Sequence, residues 1–317
     1  MLQLKTNVFF DKASDYNWES LNESIFLDIF FNSLHNLMGD AFLNYQYYIL
    51  SSHDKNVVPH SSQLNIKNKI LIFISDETSF VPYSLQTKYF AIFKCYLPFE
   101  LPNSNIFPFN LGYVRDVVAY PEIEINKRQF NVFFSGNLNY NRISLYRNLH
   151  KIFSYCPDIV VKYLISFIIR LSLTSLLKSN FDAVIPKSYI RFTDGFKKGL
   201  NASDYSEMLR NSKIVLCPKG FSSPETFRHI EAIRSGAIVI SESLPNTHFY
   251  RDAPFIIASD WREGIEIANK LIYDNKKMHE LQEKSLVWWH NVCNEDSTAK
   301  YVRDKIISLE NHIHKNC

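Results

Sequence analysis

The stretch Ser212-Lys-Ile-Val-Leu-Cys-Pro-Lys-Gly-Phe-Ser-Ser-Pro-Glu-Thr-Phe-Arg-His-Ile-Glu-Ala-Ile-Arg-Ser-Gly-Ala-Ile-Val-Ile-Ser241 decides the fold. It reads as a buried strand (Ile214 to Cys217), a turn on Pro218 and Gly220, a helix, a stop at Gly236 and a second buried strand (Ala237 to Ile240), which is one βαβ unit. Ser223 is predicted as the helix N-cap, Pro224 suits the first helical position, and Glu225 falls in the first turn, where the dipole favours an acid. Such a helix end offers unpaired N–H groups beside the hydroxyls of Ser222 and Ser223 and the cations of Lys219 and Arg228. Together they make a seat for a pyrophosphate. Glu231, three residues after Arg228, projects from the same side of the helix, where a carboxylate suits the two ribose hydroxyls of a nucleotide. An ordinary surface ion pair between Arg228 and Glu231 is the alternative reading.

Around this unit, 317 residues give room for two domains, each with its own core. A net charge of +3, with 21% charged and 46% hydrophobic residues, excludes disorder and a polyanion-binding tail, so no nucleic-acid partner is expected. Cys95, Cys156, Cys217, Cys293 and Cys317 are widely spaced and form no C-x-x-C pair, which speaks against a disulfide framework or a zinc site and for a reducing cytoplasm. The amino terminus shows no charged region followed by an apolar run of signal-peptide length. The longest apolar segment, Ile159 to Leu177, is interrupted by Lys162 and Arg170 and falls short of the roughly 20 residues a spanning helix needs. Two readings stay open for it: a buried domain helix, or a helix resting on an anionic inner-membrane surface.

In chain order, Val8 to Phe10 suggests an edge strand, and Trp18 to Met38 repeats apolar residues at helical spacing up to a stop at Gly39. Tyr45 to Leu50 and Lys69 to Ser75 are strand-length apolar runs. The second ends in Ser75-Asp-Glu-Thr-Ser79, and because ligands in open α/β sheets bind outside the carboxyl ends of strands, Asp76 and Glu77 are candidate catalytic acids. Tyr89 to Tyr96 is another strand, whereas the proline-rich connection Leu97 to Phe109 supplies no element. A second α/β pattern opens at Phe130 to Phe134 and turns at Ser135-Gly136 into a helix headed by Arg142. There Gly136 lets backbone approach a ligand. Ser188 to Phe192 reads as a strand ending in Thr193-Asp194-Gly195, and Asp204 to Leu209 as a short helix. After the central unit come a strand (Phe255 to Ser259) and helices at Trp261 to Tyr273, Lys276 to Trp289 and Asp296 to His314. With eight glycines and no G-x-G, the chain has neither the dinucleotide fingerprint nor a kinase glycine loop, which disfavours a nucleotide-sugar epimerase.

The pattern S-K-x-x-L-C-P-x-G followed by S-x-E-x-x-R-x-x-E-A-I-x-x-G-x-I-x-I resembles the donor-binding segment of exostosin-like glycosyltransferases. It resembles other two-domain (GT-B) glycosyltransferases more loosely. The resemblance covers Ser212 to about Trp261, including Ala253-Pro-Phe255 and Asp260-Trp261, and is faint elsewhere. Retaining GT-B enzymes often carry two glutamates with seven residues between them. Here five separate Glu225 from Glu231, which favours the inverting type.

The resemblance implies a GT-B fold, α/β, with two Rossmann-like domains facing across a cleft and C-terminal helices crossing back to the first. The domains are expected as 1–125 on the acceptor side, 126–295 binding the nucleotide sugar, and 296–317 as a bracing helix. The implied activity is metal-independent transfer from a nucleotide-sugar donor to a glycan or lipid-linked glycan of the bacterial surface, without a cofactor. Gly136, Arg142, Lys219, Gly220, Ser222, Ser223, Arg228 and Glu231 would hold the donor. With no D-x-D motif, Lys219, Arg228 and the helix end would neutralise the leaving diphosphate. Asp76 or Glu77 would supply the general base. A non-catalytic sugar-nucleotide or glycan-binding member of a polysaccharide assembly complex is the competing class.

Overall fold

The computed structural model describes residues 6–150, 153–171, 181–193, 195 and 198–316, so the apolar segment from Ile159 is described only to Leu171, and Asp194 lies outside the described residues. In chain order the elements are β1 (Val8–Phe10), α1 (Ser24–Met38), β2 (Gln46–Ser51), β3 (Lys69–Ile74), β4 (Ala91–Lys94), β5 (Ile106–Pro108), β6 (Phe130–Asn137), α2 (Ile143–Asn148), α3 (Asp158–Arg170), β7 (Ser188–Thr193) and α4 (Ala202–Asn211). There follow β8 (Ser212–Cys217), α5 (Phe227–Arg234), β9 (Ile238–Ser241), β10 (Ile256–Ile257), α6 (Trp261–Leu271), α7 (Asn275–Trp288) and α8 (Glu295–Asn316). They form two units: Met1–Arg115 with Pro245–Asp252 and His290–Cys317, and Asp116–Leu244 with Ala253–Trp289.

In the first unit five parallel strands run in the order β1-β2-β3-β4-β5. The interiors of the central strands are apolar runs, with Gln46, Ser51, Lys69 and Lys94 at their ends, because both faces of the sheet are covered. Tyr48, Leu50, Leu71, Phe73 and Ile92 pack under Leu85, Tyr89 and Leu97 on one face. On the other, Tyr47 meets Phe31 and Phe42, and α8 lies along α1. Gly39 closes α1 as the periodicity predicts, at φ +56°. The proline-rich connection differs from its expected reading: Ile106–Pro108 pairs in parallel with Ile92–Lys94 and makes an edge strand, where a proline is tolerated.

In the second unit the five strands are again parallel, in the order β10-β9-β8-β6-β7. The chain goes from β6 to β7 on one side, then crosses to β8 on the other. The sheet therefore has a topological switch point between β6 and β8, the place outside the carboxyl ends of the strands where open α/β sheets bind their ligands. The first sheet shows no such reversal among its described strands.

Residues 116–125, expected in the first domain, are tied to the second unit. Val118 N–H donates to Ser206 Oγ at 3.0 Å, Arg210 Nε to the Pro121 carbonyl at 2.9 Å, and Ile125 N–H to Gln282 Oε1 at 2.9 Å. Arg128 fastens the same segment from below, its buried guanidinium donating to the carbonyls of Ile123, Ser212 and Ser235. Cys95, Cys156, Cys217 and Cys293 are free thiols. Among the described residues, no helix is long and apolar enough to cross a membrane.

Candidate functional site

Strand β6 ends in Phe134-Ser135-Gly136-Asn137, at the switch point of the second sheet. A Cβ placed on Gly136 would lie 2.9 Å from Nη2 of Arg228 and 3.1 Å from Nη1 of Arg142, so two guanidinium groups converge on the face that the glycine leaves bare. The Phe134 ring supports both, with its centroid 4.8 Å from the Arg228 Cζ and 5.8 Å from that of Arg142. Arg142 ends the 3-10 turn Tyr140–Arg142 and donates from Nη1 to the Asn137 carbonyl at 2.8 Å and from Nε to the Lys219 carbonyl at 3.1 Å. Arg228 sits in the first turn of α5 and donates from Nη2 to the Ser135 carbonyl at 2.8 Å. It is only 9% exposed, yet its Nε and Nη1 have no hydrogen-bond partner and the side chain forms no ion pair among the described residues. Like charges drawn together at a buried position, with donors unused, are unfavourable unless an anion completes them.

The loop after β8 forms the second wall. Gly220 N–H donates to the Ser223 carbonyl at 2.9 Å, and the Asn141 amide donates to the carbonyls of Gly220 and Phe221, each at 2.8 Å. The Lys219 N–H donates to Glu242 Oε2 at 3.1 Å, while Lys219 and Ser222 are exposed. The helix start differs from the sequence reading. Ser223 is buried and its Oγ accepts from the Glu225 N–H at 3.2 Å, which makes a turn, and α5 begins only at Phe227 after Thr226. The physical reason is a stronger local pairing downstream: the Thr226 N–H donates to His229 Nδ1 at 3.2 Å, and His229 Nε2 lies 2.8 Å from Ser241 Oγ in the core. Burial, with Arg228 as a neighbour, pulls the His229 imidazole down to about 3.

Glu231 lies one turn further along α5, buried, with Oε2 accepting from the Tyr205 hydroxyl at 3.1 Å. Burial first, and then the adjacent carboxylate, holds that phenol well above its usual range. Burial likewise lifts the Cys217 thiol at the end of β8 to about 12, against the pull of Arg228 and Arg142. It is thus a neutral wall residue rather than a nucleophile.

The predicted acids belong to the first unit. Asp76 is buried in an ion pair with the fully buried Lys94, Oδ2 to Nζ 2.7 Å, and its Oδ1 accepts from the N–H and hydroxyl of Thr78. Glu77 is half-buried and no hydrogen bond or ion pair engages it among the described residues. The segment is held between Ser75 at φ +67° and Ser79 at φ +59°, left-handed positions that non-glycine residues seldom adopt. A third acid went unread in the sequence. Glu23 precedes α1, accepts from the Ser75 hydroxyl, and is raised by burial to about 7. Its signal was hidden because the apolar periodicity runs back to Trp18 and makes Glu23 look like an interior helix position. Phe134, Asn141 and Tyr205 were also missed as site residues. The run of asparagines at 137, 139 and 141 was a visible sign of a structured loop.

Of the residues predicted to hold a donor, the structure therefore gathers Gly136, Arg142 and Arg228 at one point. Gly220 and the Lys219 carbonyl are bonded to the same loop, and Glu231 lies one turn beyond. Among the described residues no group of three or more His, Cys, Asp or Glu side chains is disposed to hold a metal ion.

Neither a family model nor a curated protein matches the sequence. Among solved structures, the chain is similar to AviGT4, a glycosyltransferase involved in avilamycin A biosynthesis, at TM-score 0.50 and 11% identity over 95% of this chain and 97% of that one. The fold is GT-B. TarM (TM-score 0.48, 10% identity, 86% of this chain and 57% of that one) and a glycosyltransferase from Rickettsia africae ESF-5 (0.44, 11%, 93% and 84%) are also similar. In this GT-B chain the paired arginines occupy the switch point of the second Rossmann-like unit, where such sheets bind their ligands.

Proposed function

We propose that the protein is a glycosyltransferase that takes a sugar from a nucleotide-sugar donor bound at the second unit. One observation carries this reading: Arg142 and Arg228 converge over Gly136, with Nε and Nη1 of Arg228 buried and unused. Two forks of N–H donors above a side-chain-free backbone fit the oxygens of a diphosphate, which offers acceptors to both at once. As the glycosidic bond breaks, charge gathers on the leaving diphosphate, and fixed cations stabilise it more than they stabilise the bound donor. The reaction is then metal-independent by virtue of these cations, with Lys219 as the exposed third, and Glu231 receives the ribose hydroxyls.

The five-residue spacing from Glu225 to Glu231 and the exostosin-like segment support an inverting transfer onto a growing bacterial surface glycan of the lipopolysaccharide, O-antigen or capsule type. A lipid-linked acceptor would bring the chain to the inner face of the plasma membrane. In an inverting transfer a carboxylate of the first unit accepts the proton of the acceptor hydroxyl as oxygen attacks the anomeric carbon and the bond to the diphosphate breaks. Glu77, which has no hydrogen-bond or ion-pair partner among the described residues, suits that role better than Asp76, which is held by Lys94.

The same ion pair favours a second reading, a binding protein that holds a sugar nucleotide without turning it over. A panel of UDP-, GDP- and CMP-sugars tests both. Each is scored for thermal stabilisation, about 2.7 kcal/mol at 100 times the dissociation constant, and for release of free nucleotide with and without acceptor glycan. Stabilisation with acceptor-dependent release is the expected result. Stabilisation without release supports the binding protein, and no stabilisation by any member of the panel overturns both.

A further inference from the structure

Helix α3 carries two apolar stripes, and the body of the protein uses one. Val161 and Ile165 are buried in the core of the second unit, and Ile168 packs against it. Turned away from that core, Val160, Tyr163, Leu164, Phe167 and Leu171 recur at helical spacing and stay between 39% and 69% exposed. A helix that is apolar on both sides is ordinarily buried, and a contiguous exposed apolar surface on a folded unit marks a place where something docks.

Charge says what that partner is. Between Asp158 and Asp182 the sequence holds no acid and three bases, Lys162, Arg170 and Lys178. The one acid at the head of the helix, Asp158, is paired with Arg147 at 2.9 Å. Lys162 and Arg170 are exposed, and Arg170 follows Tyr163 and Phe167 by seven and three residues, at the margin of the same stripe. Large apolar side chains edged by cations match an interface that is anionic outside and hydrocarbon within. The Lys162 ammonium also stands 4.3 Å from the centroid of the Tyr140 ring. The patch is thereby continuous with the loop that carries Asn141 and Arg142.

We propose that the outward face of α3 docks on an anionic lipid surface, its apolar stripe entering the headgroup boundary while Lys162 and Arg170 engage lipid phosphates. Such a surface would serve transfer to a lipid-linked acceptor, but its test reads lipid binding alone, so either idea can fail without the other. The full-length protein is sedimented with phosphatidylcholine vesicles, with and without phosphatidylglycerol, at low and high salt. Two exposed bases predict roughly 30-fold tighter association with the anionic vesicles, lost as salt rises. Tyr163→Ser with Phe167→Ser should abolish sedimentation while circular dichroism and the melting temperature stay as in the parent. Lys162→Gln with Arg170→Gln, which leaves the apolar stripe intact, should erase the preference for the anionic lipid. Equal binding to both vesicles, or binding to neither, overturns the proposal. So does a dimer in analytical ultracentrifugation that the serine variant dissociates, since a second copy of the chain would then be what covers the face.

Discussion

The guanidinium of Arg228 reaches back from the first turn of α5 to donate to the carbonyl of Ser135 at 2.8 Å, the last residue before the glycine on which both arginines converge. That bond fixes the plane of the fork and leaves Nε and Nη1 buried without a hydrogen-bond partner. Replacing Arg228 with alanine should lower turnover by about 10²–10³-fold, the range for loss of one donor to developing negative charge. Donor affinity should fall by less. Lysine should restore only part of the rate, because a point charge does not reproduce the planar contact. Steady-state kinetics with calorimetric titration of the donor checks this, and near-parental turnover in Arg228→Ala would remove the residue from the chemistry.

Gly136→Ala tests the seat from beneath. The new methyl would meet the ends of two flexible side chains, at 2.9 Å and 3.1 Å, and the edge of the Phe134 ring at 3.3 Å, where a shift of a few tenths of an ångström relieves it, and Gly136 has no left-handed backbone to strain. Unfolding should therefore be little changed. Displacing the guanidiniums should weaken donor binding roughly tenfold or more, the worth of a charge-assisted hydrogen bond. An unaltered dissociation constant would show that the donor lies elsewhere.

The acids of the first unit separate by stability. Asp76→Asn removes the countercharge of the buried Lys94, leaving its ammonium only neutral partners such as the Cys95 carbonyl, and should cost about 3–5 kcal/mol, whereas a double change to Asp76→Leu and Lys94→Met should recover most of it. Glu77→Gln breaks no bond among the described residues and should leave unfolding free energies within about 0.5 kcal/mol of the parent. If Glu77 is the proton acceptor, turnover in that variant falls by about 10²–10⁴-fold. Full activity in Glu77→Gln would rule it out.

Two buried groups should give stability opposite slopes against pH. His229 is depressed to about 3 when folded, against 6.5 unfolded, so between those values the unfolded chain binds the extra proton and stability is lost as pH falls. Glu23 is raised from 4.5 to about 7, so in that window the folded chain holds the proton and stability is lost as pH rises. Each slope reaches at most about 1.4 kcal/mol per pH unit. Denaturant titrations from pH 4.5 to 6.5 should show Glu23→Gln losing stability toward acid more steeply than the parent, and His229→Gln less steeply. Parallel curves for all three proteins would contradict the burial of both groups.

What the sequence disclosed, it disclosed through periodicity and through one segment. The buried strands at 69–74, 212–217 and 238–241, the first part of the one at 130–137 and the glycine stop after α1 followed from apolar runs and turn residues, while the turn expected at Ser135-Gly136 is the last part of β6. Gly136, Arg142 and Arg228 were named from a strand-glycine-turn pattern and a helix start. Their convergence was not legible, because it depends on the crossover that seats β8 beside β6. The cap at Ser223 was misplaced since Thr226 competes for the same role with a buried histidine that sequence shows only as one more polar residue. The edge strand at 106–108 was hidden by Pro108, and Glu23 by a helix pattern that overran its true start.

The first unit is closed by a part of the chain that is made after the whole of the second. Its α1 packs along α8, Asn110 donates to the Cys293 carbonyl, and the Tyr113 hydroxyl donates to Glu295. During synthesis, then, the strands of that unit emerge first and Phe26, Phe30 and Phe31 of α1 can meet Tyr113, Phe109 and Tyr47, but the part of α1 that α8 covers stays open until residues beyond 290 have left the ribosome. The second unit, continuous but for the short excursion at 245–252, has nearly all of its own residues by then. A nascent chain halted before residue 290 would therefore lack the helix that covers one side of α1 while already holding the residues of the second unit.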